Sequence, residues 1–568
     1  MIAPVEDTNH QERCVSSALW AAYGDALGFP TELASPTMVA QRVGASRIDR
    51  TVPWQRLVGG RFGAQVELPA GAYSDDTQLR LATSRAIRAQ GFFDVESFAK
   101  VELPVWLSYC LGAGRGSKAA ARSLGDKNIN WFSNFFDAEG NSYVKGGGNG
   151  AAMRIQPHVW ASRNLQDAHS YLRDVVRNAV CTHGDLRGIG GAAVHAGVLA
   201  HVFLHDSIPN PDAWMDFAHI FEKIPGIVAA DPDLSTFWLP TWEGLTGRTL
   251  QEASSKAADE WADAAGVAIK LLTGDSRESY RAIVGGLKGL SDAERGSGLK
   301  TVLFSTAAAW LFKDCSIDEG LFEVVNLLNS DTDSIATMAG ALLGARRGQD
   351  VPHHPIQDRE YIAAAATRTA SIGLGLSVDD LSYPDLLYWQ APKSALDCVG
   401  KVKDRVALAG IGALEPLGQC YSGKGRGSVW QWHRLDFGQT VLCKRRETLK
   451  SVPQEMRPVH MLPQRAEASS LAPQAPPPAS AKPGSSTAQT RDLFDTMPTA
   501  PIETELNHQD RKSLDELTDL AIRSGFDQRL IGEHLLMLSE GEQAVENAMA
   551  YSVIIAKAWR ARVKKRAS

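Results

Sequence analysis

Glu12-Arg13-Cys14-Val15-Ser16-Ser17-Ala18-Leu19-Trp20-Ala21-Ala22-Tyr23-Gly24-Asp25-Ala26-Leu27 places Val15, Ala18, Leu19, Ala22, Tyr23 and Ala26 at helical spacing, and Gly28-Phe29-Pro30 stops the run. The stretch predicts a buried first helix. Comparable patterns recur at 76–90, 94–111, 165–181, 188–203, 255–272, 278–289, 299–313, 318–328 and 335–346, with few alternating β-branched runs between them. The first 350 residues are therefore expected to form an all-α globule with ligand-bearing loops at helix ends. Small-residue stretches such as Gly190-Gly191-Ala192-Ala193 and Ala339-Gly340-Ala341 would let helices approach closely.

After Gly348 the character changes. Tyr361 to Ile372 reads as one more helix, and the alternation Val429-Trp430-Gln431-Trp432-His433-Arg434-Leu435 followed by Thr440-Val441-Leu442-Cys443 reads as a hairpin turning near Asp436-Phe437-Gly438. Residues 462–507 are rich in Ala, Pro, Ser and Thr and include Pro473 and Pro476-Pro477-Pro478, the composition of a disordered linker. The tail regains helical spacing through Leu514, Leu517, Leu520, Ala521, Leu530, Leu535, Leu536 and Leu538. Four segments are expected: a helical domain 1–350, a small mixed α/β extension 351–461, the linker 462–507 and a C-terminal helical module 508–568 suited to a protein partner. A chain of 568 residues exceeds one comfortable hydrophobic core, in keeping with that division.

A net charge of -6 gives no support to a globally basic nucleic-acid binder. Seven scattered cysteines with no CxxC pair read as reduced thiols filling cores. The N-terminus lacks the basic start and apolar stretch of a secretory signal, and no continuous run reaches about 18 apolar residues, so a soluble, cytoplasmic protein without a membrane segment is expected.

Two acidic clusters, Ser74-Asp75-Asp76-Thr77 and Asp331-Thr332-Asp333-Ser334, combine paired carboxylates with hydroxyls, the hard oxygen donors that suit Mg²⁺ or Mn²⁺. Each also reads as an ordinary helix start, with Asp75 and Gln78 as a capping box and Ser330 or Asp331 as a cap. Gly146-Gly147-Gly148-Asn149-Gly150 offers unencumbered N–H groups that could cradle a diphosphate, or simply a turn. Glu32, after the Pro30-Thr31 turn, projects either into a cleft or into solvent.

Taken in order, Gly24-Asp25-Ala26-Leu27-Gly28-Phe29-Pro30-Thr31-Glu32, the first acidic cluster, Gly148-Asn149-Gly150-Ala151-Ala152-Met153-Arg154, Thr182-His183 and the second cluster leading into Met338-Ala339-Gly340-Ala341 resemble the ADP-ribosylglycohydrolase family. The resemblance covers about the first 350 residues. It implies a hydrolase of the bond between ADP-ribose and a modified macromolecule, with protein arginine as the expected acceptor and two Mg²⁺, or Mn²⁺, as cofactors. Serine-linked, O-acetyl and nucleic-acid-linked ADP-ribose, and a silent ADP-ribose binder, are the alternatives.

By the same resemblance Ser74, Asp75 and Asp76 would hold one ion and Asp331, Asp333 and Ser334 the other. Asp75, Asp333 and Glu32 would be catalytic, Glu32 as general acid or base and gate. Gly146, Gly147, Asn149 and His183 would bind the diphosphate, whereas Arg154 reads as a buried structural ion pair. Asn329-Ser330 stands where the family usually has Gly-Gly, and side chains there could narrow the site. Asp436-Phe437-Gly438 and Gly423-Lys424-Gly425-Arg426-Gly427 mimic kinase motifs in the wrong order and read as turns. The basic end from Lys557 to Arg566 reads as a solvated helix terminus in preference to a nucleic-acid contact.

Overall fold

The Glu12–Leu27 run belongs to α1 (Val5–Gly28), and every residue from Ser16 to Pro30 is buried. Periodicity revealed one apolar face, whereas the helix is enclosed on all sides. The reason is its packing against α8 (Thr332–Arg347) and α9 (Arg359–Gly373). The α1–α8 seam is built from small residues: a Cβ on Gly28 would lie 2.5 Å from the Asp333 Cα, and one on Gly344 would lie 2.6 Å from the Ser16 carbonyl oxygen. Backbones thus meet directly where the second acidic cluster begins.

In this computed structural model the described residues are 5–461 apart from 139 and 426, 513–539, and 547–559 apart from 549, 553 and 557. The chain divides into two compact units, 1–468 and 469–568. The first is mainly helical: α2 (Asp75–Ala86), α3 (His169–Val180), α4 (Leu186–His205), α5 (Ala218–Ala230), α6 (Leu250–Lys270) and α7 (Gly298–Leu311) join the helices above around one continuous core. α2 is buried over its whole length. α4 is long and apolar enough by composition to cross a membrane, yet its apolar window is 83% buried inside the protein, as suits a core helix.

Several elements escaped the periodicity reading. The expected 94–111 helix is three short pieces, with a π turn over Phe98–Glu102 and Pro104 just beyond it. α5, for which no helix was expected, carries Pro225 in its interior, a residue that argues against a continuous helix. A hairpin of β1 (Trp54–Val58) and β2 (Ala64–Leu68), and a helix over Arg115–Leu124, were also not anticipated.

Beyond α9, five antiparallel strands follow in sequence order: β3 (Val399–Val402), β4 (Arg405–Leu408), β5 (Gly412–Ser422), β6 (Ser428–Leu435) and β7 (Thr440–Arg446). The expected hairpin is β6–β7, in register Trp432 with Leu442 and Arg434 with Thr440, and Gly438 (φ 107°) lies in its turn. The sheet shares the helical core. Arg85 of α2 donates to Glu102 and, at 2.7 Å, to Gln439, while Asp358 accepts from Tyr73 and the Thr440 amide. The extension expected over 351–461 therefore packs within the same unit as the helices.

In the second unit, Leu514–Arg523 starts with a Ser513–Glu516 capping box, and Gln528–Leu538 starts at Asp527. Leu517, Ala521, Phe526, Tyr551 and Ile555 form its small core. The expected linker, 462–507, lies outside the described residues.

Candidate functional site

Asp25, in the last turn of α1, is fully buried, and its two carboxylate oxygens accept from the Ser74 and Thr77 amides at 2.8 and 2.9 Å. The start of α2 is thus held by a residue about fifty positions earlier in the chain. Ser74 is the N-cap, its hydroxyl accepting from the Asp76 amide. The expected Asp75–Gln78 capping box does not form. The Gln78 carbonyl instead accepts from Trp106 and Leu111, and its amide donates to Tyr109. Asp75 and Asp76 are thereby left with their carboxylates uncommitted to capping.

The second cluster departs from the cap reading in the same way. Asp331 occupies the N-cap position of α8 without a side-chain capping bond; it accepts from Asn149 Nδ2 at 2.9 Å. Ser330 is fully buried and donates to the Leu327 carbonyl, and Asn329 is exposed with φ 71°, a conformation that favours Gly and that Asn tolerates. The Asn329-Ser330 departure therefore preserves the turn, and its buried serine is committed to the Leu327 carbonyl.

The two clusters meet. Ser334 Oγ donates to Asp76 Oδ1 at 3.4 Å across a sequence separation of 258 residues. A cleft of about 470 Å³ is lined by Glu32, Asp75, Asp76, Asp331, Asp333 and Ser334 together with Gly146, Gly147, Gly148, Asn149 and His183. Of the residues assigned from sequence to metal, catalysis or diphosphate binding, Ser74 alone sits behind this lining, fully buried. Asn149 reaches the cleft but spends its amide on Asp331 and Thr301, so it braces the acidic wall.

Burial, reinforced by neighbouring carboxylates, pushes Asp75, Asp76 and Asp333 well above the usual carboxylate range. Glu32 is raised to about 7 by burial, partly offset by Arg56, whose guanidinium lies 3.8 Å away. Asp76 Oδ2 is buried without a hydrogen-bond partner. Crowded acids with an orphaned oxygen are the surroundings in which a divalent cation is favoured. Among the described residues no three His, Cys, Asp or Glu groups already stand at metal-coordinating geometry. The donor set fits Mg²⁺ or Mn²⁺ in chemistry, with carboxylates and hydroxyls from both clusters.

His183 shares a 2.7 Å hydrogen bond with Thr182 through Nδ1, and Thr182 also accepts from Arg154. Burial, with Arg154 adding to it, lowers His183 to about 3, so the imidazole is neutral. Arg154 is buried and donates to Asn178, Gly150 and Thr182, a structural role filled by neutral acceptors and not by the ion pair expected. Several groups at the site had no sequence signal strong enough to find them. Arg56 stacks 4.3 Å over Phe29 beside Glu32, and Arg80 lies buried behind Asp76. Arg115, Lys145 and Arg295 line the cleft as cations. The Asp76–Arg80 i,i+4 spacing was the one legible hint.

Buried histidines give the first test. His195, pushed down to about 3 by burial and then Arg80, is neutral when folded, while an unfolded histidine protonates near 6.5. Between those values the unfolded chain binds the extra proton, so this contribution to stability is lost as pH falls below about 6.5. Relative to His195→Gln, wild type is expected to lose about 1.4 kcal/mol on going from pH 7.5 to 5.5. Paired denaturant melts at the two pH values measure it, and a constant gap would contradict it.

A family model described as ADP-ribosylglycohydrolase matches residues 6–375. Among curated proteins, the chain is 30% identical over 156 residues to ADP-ribosyl-[dinitrogen reductase] glycohydrolase of Rhodospirillum rubrum, covering 27% of this chain and 45% of that protein. It is 24% identical over 373 residues to an uncharacterized protein of Archaeoglobus fulgidus, covering 63% of this chain and 96% of that one. A solved structure described as an ADP-ribosylglycohydrolase-related protein complex is 22% identical, with 64% of this chain and 99% of that chain covered and a TM-score of 0.38. Because the family match takes in Glu32, both acidic clusters, the glycine loop and His183, the chain belongs to the ADP-ribosylglycohydrolase family, and it spans less than half the length of the Rhodospirillum rubrum relative it matches.

Proposed function

We propose that this cleft hydrolyses the glycosidic bond between ADP-ribose and a modified protein, with arginine as the acceptor, and releases ADP-ribose. The observation that carries the reading is the Ser334–Asp76 contact, which makes two distant acidic clusters one wall facing the Gly146–Asn149 loop. Hydrolysis at an anomeric carbon needs a held sugar, a positioned water and relief of charge as the bond breaks. Asp75, Asp76, Asp331 and Asp333, with the hydroxyls of Ser74 and Ser334, would hold two Mg²⁺ or Mn²⁺. The bound ions supply Lewis-acid polarisation and neutralise charge developing at the ribose.

The protein's own groups do the rest. Lys145 and Arg295, beside the Gly146–Asn149 loop that lines the cleft, receive the diphosphate; the Gly146 and Gly147 N–H groups, expected to cradle it, instead donate to the Tyr143 and Lys145 carbonyls. His183 stays neutral, its Nδ1 engaged by Thr182, and presents Nε2 beside Gly148 and Gly150. Glu32, raised toward neutrality, takes a proton from the attacking water and returns one to the leaving group.

The test is a substrate panel of arginine-linked, serine-linked, O-acetyl and nucleic-acid-linked ADP-ribose, with and without Mg²⁺, reading free ADP-ribose. Metal-dependent release from the arginine substrate is expected. Release from another acceptor alone would move the specificity; ADP-ribose binding without release from any would make the cleft a recognition module. Glu32→Gln is expected to lower kcat by about 10²–10⁴-fold with little change in KM. Steady-state kinetics on the responsive substrate check this.

A further inference from the structure

A second cavity, of about 750 Å³, is larger than the catalytic cleft and abuts it through one short segment. Cys110 and Leu111 line this cavity, while Gly112 lines the cleft. The helix over Arg115–Leu124 serves both in turn, with Arg115 and Ser117 facing the cleft and Lys118 and Arg122 facing the cavity. The far wall comes from 392–395 and the sheet, with Lys393, Trp430, Leu442 and Lys444. Those residues lie beyond 6–375, the span of the family match.

Among the described residues the lining contains no Asp or Glu. Lys118, Lys393 and Lys444 reach it from a helix, a loop and a strand, and none of the three makes an ion pair among the described residues. Lys444 Nζ lies 5.0 Å from the Trp430 ring centroid, which fixes the ammonium at the cavity wall. Leu111, Trp430 and Leu442 are buried and give an apolar floor. Convergent cations over an apolar floor match a ligand that is anionic at one end and flat and apolar at the other. The volume is far more than one phosphate fills and falls in the range of sites for drug-sized ligands.

We propose that this cavity is a second ligand site, separate from the catalytic cleft, for a nucleotide-sized phosphorylated ligand. The inference stands apart from the proposed hydrolysis, since none of its residues belongs to the machinery described there. The probe is ADP, titrated by calorimetry into the full chain. The triple charge reversal Lys118→Glu, Lys393→Glu and Lys444→Glu is expected to remove one ADP per chain relative to wild type, while turnover on the responsive substrate is retained. Because Lys393 is exposed, Lys393→Glu alone serves as the variant that keeps the fold, with at least a threefold loss of affinity expected at the same site.

An unchanged ADP isotherm in both variants would overturn the site, whatever the cleft hydrolyses. Inorganic pyrophosphate provides the second arm: it should bind at least tenfold more weakly than ADP at the site that the variants remove. Equal affinity would overturn the nucleotide assignment, because the apolar floor would then contribute nothing.

Discussion

Asp333→Asn, and Asp75→Asn beside it, should each lower ADP-ribose release by about 10³-fold or more, since each removes a carboxylate from the proposed two-ion site and several kcal/mol of charge stabilisation depends on that site. The fold should survive. Both residues stand in the first turn of a helix whose start is otherwise secured, α2 by Asp25 and Ser74 and α8 by its packing on α1. In metal-free protein the substitutions should even raise the melting temperature. Burial and like charges push both carboxyl groups upward in the folded state, so the ionised wild type carries a cost that the amide does not. Added Mg²⁺ should reverse the order, because an ion that binds only folded wild type stabilises it by mass action. Thermal melts with and without Mg²⁺, alongside turnover, read all three effects; undiminished turnover in either variant would contradict the site.

Gly28→Ala is the second large effect, and it acts without touching any carboxylate. The added Cβ would stand 2.5 Å from the Asp333 Cα and 2.6 Å from its backbone nitrogen, and backbone atoms cannot turn aside as a side-chain tip can. α1 and the start of α8 must separate. Overpacking of this kind costs about 3 kcal/mol, and displacement of Asp333 should weaken Mg²⁺ affinity by at least about tenfold. Gly266→Ala in α6 is the control: a Cβ there meets nothing within 4 Å, so the substitution should stabilise by about 0.5–1 kcal/mol. Chemical denaturation and metal titration distinguish the two. Equal behaviour of both variants would show that the α1–α8 seam does not set the position of Asp333.

What could be read from the chain, and what could not, divides along physical lines. α1 and α8 were legible because their patterns are long and the acidic clusters sit at helix starts. The glycine loop and Glu32 were legible as elements of an ordered set. Partnerships were not. Nothing at Ser74, the N-cap of α2, announces that the distant Asp25 will accept from the Ser74 and Thr77 amides, leaving Asp75 outside the capping box its spacing suggested. Asn149 read as a diphosphate contact, yet its amide goes to Asp331 and Thr301, both more than 150 residues away. Strands of four residues such as β3 and β4 carry too little alternation to stand out, so a five-stranded sheet was reduced to one hairpin. The cleft's cations were hidden for another reason: arginines and lysines are common on surfaces, and only the fold gathers Arg115, Lys145 and Arg295.

The Asn149–Asp331 hydrogen bond joins the loop proposed to lie beside the diphosphate to the helix start proposed to hold the ribose-side ions. The cleft therefore has a fixed gauge length, set by one amide and one carboxylate. A ligand whose phosphate and sugar are spaced to that gauge engages both walls together, and one that is longer or shorter must stretch the bond to do so. Under the proposed function, selectivity for the length of the ligand would be built into the protein's own frame, before any group on the acceptor side is consulted.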